Sequence, residues 1–170
     1  GEVNWALALP VPIILAMGMG CYHGLFGLAA NLANRLSPLL ATLFLGLAWT
    51  VMEMTQATLL SGFSWLTLSS AFVRWPITVQ AASVIGAYGV SGVLAMVAIG
   101  LLFGLRSKAC LAVSLCAALA LVGFGWLRME SYAETTAAHS VAIIQGNIDQ
   151  SIKWDPAYQM GTAEKYVRLS

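Results

Sequence analysis

Long stretches of this chain carry no charge, and that restricts what it can fold into more than any other feature. Between Glu2 and Arg35 the only titratable side chains are Cys21, Tyr22 and His23; between Arg35 and Arg74 the only charge is Glu53. From Arg74 to Arg106, and again from Lys108 to Arg128, there is none. A hydrocarbon core about 30 Å thick is crossed by roughly 20 apolar residues. Four runs reach that length, at about 9–32, 38–60, 77–105 and 109–127. Pro10 and Pro12 fall near the first turn of the first run, where a missing N–H costs little. The third run is too long for one straight span, so its "PITVQAASVIGAYG" half is expected to lie partly along the interface before the helix crosses. A chain with 9% charged residues, against roughly 25% in an ordinary soluble domain, is not a water-soluble globule. Its net charge of +1 comes from scattered Lys and Arg. That excludes the basic surface a nucleic-acid partner would need.

Short loops set the expected orientation, because Lys and Arg favour the cytoplasmic side. Arg35 falls between the first two spans, and Arg106 and Lys108 between the last two. Both loops are therefore expected in the cytoplasm, with residues 61–76 and everything after Arg128 on the other side. Arg74 is the exception, in "VRWP" between the aromatic anchors Trp65 and Trp75, where an interfacial guanidinium can meet lipid phosphate or simply snorkel. The three cysteines, Cys21, Cys110 and Cys116, lie in apolar runs without CxxC spacing. They read as small buried residues, and no metal site or cofactor is expected. His23, alone among apolar neighbours, reads as a satisfied core histidine. The "GAYGVSG" run reads as a face for close helix packing.

After Arg128 the composition changes. Residues 129–140 form a polar linker, and "VAII" at 141–144 is a short β-branched run of the kind a buried strand shows. Gly146 and Asn147 end it. "DPAYQMGTAEKYVRLS" then reads as a helix with Asp155 as N-cap, Pro156 at its first position, and Met160, Ala163, Tyr166 and Val167 at helical spacing. One strand and one helix cannot bury a core, so the remainder of that α/β domain is expected beyond Ser170. The beginning, "GEVNWALALP", has neither a Met nor a basic leader and likewise reads as cut.

The run "IIQGNIDQSIKWDP", preceded by "W..ME.....LLSGFSW" in an earlier span, resembles the bacterial apolipoprotein N-acyltransferases. The resemblance covers all 170 residues. It implies a fold class: an α-helical membrane bundle with four transmembrane helices here (residues 1–128), followed by the first strand and helix of an α/β nitrilase-like domain (141–170). It also implies a multi-pass protein of the bacterial inner membrane with a periplasmic soluble domain, and a two-step reaction. An acyl chain passes from a membrane phospholipid to an enzyme Cys as a thioester, then to the α-amino group of a diacylglyceryl-cysteine lipoprotein. The Cys, Glu and Lys of that chemistry are expected after residue 170, so no catalytic residue is assigned to this chain and it is expected to be inactive by itself. Where the family shows Glu, Arg-Gly and Gly-Phe-Pro-Trp, this chain has Glu53, Gln56-Ala57 and Gly62-Phe63-Ser64-Trp65. The missing Arg removes an ion-pair or headgroup partner; the missing Pro loosens the turn.

Five residues make up the expected substrate-binding set. Glu53 lies roughly 12 Å below the outer end of its span, where an ionisable group marks function by default. The bland alternative is a protonated or hydrogen-bonded carboxyl pinning the bundle, with Thr50 and Gln56 on nearly the same face. Trp65 belongs to the loop motif. Gln145 and Asn147 leave the carboxyl end of the expected strand, the edge at which α/β enzymes place their sites, or else only build a turn. Trp154 reads as a pocket-lining aromatic or as packing under the helix. Lys153 and Asp155 face solvent or cap. Two other readings compete: a transporter or channel with Glu53 in its path, against which the "QGNIDQSIKWD" tail argues, and a membrane-attached nitrilase-like protein of other or no activity.

Overall fold

The computed structural model of the chain describes residues 9–59, 62, 66–132, 143–149, 153 and 155–169. Each of the four apolar runs holds a helix long enough to cross a bilayer. Helix α1 is Pro10–Ala33, with prolines in its first turn, and it runs into a tight turn in which Arg35 N–H donates to the Leu32 carbonyl (3.1 Å) and Leu36 N–H to that of Ala33 (3.0 Å). Ser37 and Pro38 then start α2, Pro38–Thr58. The Ser37 hydroxyl accepts from Leu40 N–H, and Pro38 occupies a first-turn position where no N–H is needed. A 3₁₀ turn at Leu68–Phe72 precedes a single-turn helix α3, Pro76–Val79, then α4, Ala82–Gly104, and α5, Lys108–Tyr132.

The third apolar run is divided in two places: between α3 and α4, and inside α4 at Gly86, whose φ of 70° and ψ of 167° suit a residue without Cβ. Its length is thus accommodated by breaks in the helix.

The bundle is turned inside out relative to a water-soluble one. Leu119 is 71% exposed and Glu53 only 3% exposed. Thr42, Gln56, Ser69, Ser91 and Ser114 are buried as well, while leucines and isoleucines of every long helix face outward. That arrangement suits a lipid solvent, in which association rests on close packing and internal hydrogen bonds. Small residues provide the packing. A Cβ on Gly92 of α4 would collide with Thr50 Oγ1 and stand 2.7 Å from the Gly46 carbonyl oxygen of α2. One on Gly100 would collide with Ser114 Oγ of α5 and reach Thr42 Cγ2 of α2 at 2.9 Å. Helix α4 therefore lies against both neighbours at backbone distance. Helix α1 leans on α2 through Ala33, Ala41 and Leu45, with Phe26, Ala29 and Ala30 around them.

The chain divides into two compact units, the bundle that holds the described residues 9–132 and a second unit to which the described residues 143–149, 153 and 155–169 belong. In the second unit a 3₁₀ turn, Pro156–Tyr158, leads into α6, Gln159–Leu169. Asp155 caps it as the sequence predicts, its Oδ1 accepting from Ala157 N–H at 2.9 Å with Pro156 in the first turn. The expected strand is not seen among the described residues. Val141 and Ala142 lie outside them, and 143–149 has no strand pairing. A strand exists only through hydrogen bonds to a neighbour, and the described residues supply no such neighbour; Ile143 is correspondingly exposed.

Candidate functional site

A polar seam is built around Glu53. Its Oε1 accepts from Trp49 Nε1–H at 2.9 Å, one turn earlier on α2, and from the backbone N–H of Leu68 at 2.7 Å. Leu68 opens the 3₁₀ turn, where the first N–H groups have no partner within the turn itself. The same turn is held from the opposite side. Ser69 N–H donates to Ser91 Oγ of α4 at 2.9 Å, and the Ser69 and Thr67 hydroxyls are 3.0 Å apart. The carboxylate thus ties the segment after α2 to the bundle, and Ser91 ties it to α4. Helix α2 ends at Thr58, which places Glu53 roughly 7.5 Å from the helix end at 1.5 Å per residue. It is nearer the end of its helix than the sequence reading placed it.

Two atoms of this seam are buried without a hydrogen-bond partner: Glu53 Oε2 and Gln56 Nε2. They are an acceptor and a donor one helical turn apart, a complementary pair that a water or a polar ligand group could join. Thr50, expected on the Glu53 face, spends its hydroxyl on the Gly46 carbonyl instead (3.4 Å). Sequence reasoning missed Trp49, Leu68 and Ser91. Trp49 was legible from its i, i+4 spacing to Glu53. Leu68 and Ser91 left no signal, because they reach the site only through the tertiary fold.

Of the other expected residues, Gln145 and Asn147 come together: Gln145 Nε2 donates to Asn147 Oδ1 at 2.9 Å, and both side chains are exposed. Gly146 between them is buried, and a Cβ there would stand 2.6 Å from Tyr166 Cζ, so the α6 ring covers the backbone at this point. Asn147 takes a left-handed φ of 47°, which Asn tolerates better than most side chains. Glu53 belongs to the other unit. Trp65 and Trp154 lie outside the described residues.

His23 is exposed on α1, with its Nδ1 donating to the Met19 carbonyl at 3.0 Å, so it is satisfied but not in a core. Cys110 is buried; Cys21 and Cys116 are exposed on apolar helices rather than buried as expected, since outward positions in this bundle are also apolar. An apolar groove of about 370 Å³ lies between α1 and α2, with Tyr22, Phe26, Phe44, Val51 and Met52 on its walls. Its size and lining suit a hydrocarbon chain.

A family model described as the apolipoprotein N-acyltransferase N-terminal domain matches residues 2–100. The apolipoprotein N-acyltransferase of Geobacter metallireducens is 31% identical over 180 residues, covering 100% of this chain and 34% of that protein. Those of Shewanella oneidensis (33% over 175 residues; 96% of this chain, 33% of that protein) and Allorhizobium ampelinum (30% over 180 residues; 99% and 32%) are similar in the same way. The chain spans about a third of the length of the curated relatives it matches. No solved structure matches it.

Proposed function

The chain belongs to the apolipoprotein N-acyltransferase family, and on that premise we propose that it is the membrane-bundle portion, with the start of the soluble domain, of an enzyme that acylates lipoproteins. The observation that carries this reading is that similarity to the relatives runs through the membrane helices and on through the "QGNIDQSIKWD" segment. In the proposed reaction a cysteine thiolate attacks an ester carbonyl of a phospholipid, forming a thioester and releasing the lysophospholipid. The α-amine of a diacylglyceryl-cysteine then attacks the thioester, forming the amide and returning the thiolate.

Within that scheme this chain binds and positions. The α1–α2 groove receives an acyl chain. Glu53 and Ser91 hold the 3₁₀ segment that follows the loop motif of Trp65, the residue proposed to meet lipid. Gln145, Asn147 and Trp154 are the residues of the soluble domain proposed to meet substrate, and 141–144 is the segment that would pair as its first strand once a neighbouring strand is supplied. Helix α6 leaves Met160 and Val167 exposed, an apolar stripe suited to packing on a sheet. The reacting Cys, with its Glu and Lys, belongs to the domain that follows. The protein sits in the bacterial inner membrane with this domain in the periplasm.

The test uses the full-length protein reconstituted with a phospholipid carrying an isotopically labelled acyl chain and a synthetic diacylglyceryl-cysteine peptide. One labelled acyl group on the peptide amine is the expected product. A peptide that stays unmodified while the protein is folded and lipid-embedded would sink the reading.

A further inference from the structure

In the second unit, the turn that follows the 141–144 run presents two side-chain amides joined to each other. Gln145 Nε2 donates to Asn147 Oδ1 at 2.9 Å, and both side chains are exposed. That bond uses the nitrogen of one amide and the oxygen of the other. Gln145 Oε1, an acceptor, and Asn147 Nδ2, a donor, make no hydrogen bond to any of the described residues. The backbone between the two amides is pinned. Gly146 is buried, and a Cβ on it would stand 2.6 Å from Tyr166 Cζ and 2.8 Å from Tyr166 Oη, so the ring of α6 lies against the main chain here. Asn147 follows at a left-handed φ of 47°, which ends the extended run at this residue. One open acceptor and one open donor therefore stand two residues apart on a turn whose backbone is held from behind.

We propose that this amide pair binds the main chain of the acceptor peptide at the residue that follows its lipid-bearing cysteine. The inference rests on the acyl-transfer reading and names the part of the acceptor that Gln145 and Asn147 recognise. An extended residue offers its own N–H and C=O to the same side, as each member of a hydrogen-bonded antiparallel pair does. Gln145 Oε1 accepts that N–H, and Asn147 Nδ2 donates to that C=O. The bond between the two amides holds them in register before the peptide arrives, so less ordering accompanies binding. Main-chain recognition of this kind leaves the peptide's side chain unread. The residue next to the cysteine is the one whose fixing restrains the α-amine most, since it stands one residue, about 3.5 Å of chain, away. Tyr166 is a positioning residue in this arrangement: it touches Gly146 and not the peptide.

Three synthetic diacylglyceryl-cysteine peptides test it, given to the full-length protein reconstituted with a phospholipid carrying a labelled acyl chain. One is all amide, one has the N–H of its second residue replaced by an ester oxygen, and one has the same replacement at its fourth residue. The second-residue ester should be used with a kcat/KM about tenfold below that of the all-amide peptide, the loss that follows when Gln145 Oε1 is left without its donor. The fourth-residue ester should be used like the all-amide peptide. Gln145→Ala should use all three alike, whereas Gln145→Glu, which keeps an acceptor oxygen, should still discriminate. Tyr166→Ala should lose the discrimination and Tyr166→Phe should retain it. Equal use of all three peptides by the unaltered protein, an equal penalty for both esters, or undiminished discrimination in Gln145→Ala would overturn the proposal and leave the acyl-transfer reading standing. No acylated product from any of the peptides would sink both. The comparison of the two esters on the unaltered protein decides the matter even where a variant does not fold.

Discussion

Glu53 and Gln56 sit one turn apart on the same helix, both buried, and the structure gives them different work. Glu53 satisfies two donors that have no alternative, the Trp49 indole and the Leu68 backbone N–H. Gln56 Nε2 satisfies none. Glu53→Leu should therefore destabilise the bundle by about 1–3 kcal/mol, the usual cost of stranding buried donors, while Glu53→Gln keeps a carbonyl oxygen in place and loses less. Gln56→Met should be neutral or stabilising. Unfolding of the protein in detergent measures all three, and a Gln56→Met penalty as large as that of Glu53→Leu would mean that Gln56 has a partner of its own. The cysteines belong to this scale too. Cys110 is buried and Cys21 and Cys116 face outward from membrane-length helices, with no cluster of acidic, His and Cys side chains around them among the described residues. A thiolate needs a base and a cation beside it. Replacing all three with serine in the full-length protein should leave hydroxylamine-labile acyl-enzyme formation intact, and its loss in any single replacement would put the reacting thiol inside this chain.

Elements in this bundle are joined where side chains are smallest. Gly92 meets Thr50 and the Gly46 backbone, whereas Gly18 of α1 has open space where a Cβ would go. The same substitution should thus have opposite consequences at the two positions. Gly92→Ala forces α2 and α4 apart and should cost about 1–3 kcal/mol, as overpacking does; Gly18→Ala should change stability by no more than about 0.5 kcal/mol. Thr50→Ala in the Gly92→Ala background should recover part of the loss, because it removes the atom that the new methyl meets first. Equal effects at Gly18 and Gly92 in detergent unfolding would contradict the packing. The "GAYGVSG" run shows how far such features are legible: its small residues did announce close packing, but only the fold distinguishes Gly92, pressed on α2, from Gly86, which breaks the helix with positive φ.

For the molecule as a whole, charge placement predicts that positions near Arg35 and Lys108 are cytoplasmic and that the segment after α2 and residue 140 are periplasmic. Single cysteines in a cysteine-free background, labelled in intact cells with an impermeant maleimide, check this. Ser70 is the better probe of the segment after α2, being exposed where Ser69 is buried. Label at Ser70→Cys and Ser140→Cys with none at Lys108→Cys is expected, and the inverse pattern would reverse the orientation. Sequence by itself determined the number and apolar character of the long helices, because a charge-free run of membrane length has few other solutions, and it placed the Asp155 cap, because capping is a local hydrogen bond. Only the tertiary structure decided what the buried polar groups do. The partners of Glu53 and the 3₁₀ turn lie at Leu68 and Ser91, separations at which no sequence period operates, and Gly125 of α5 meets the Ile77 backbone of α3 because it has no Cβ.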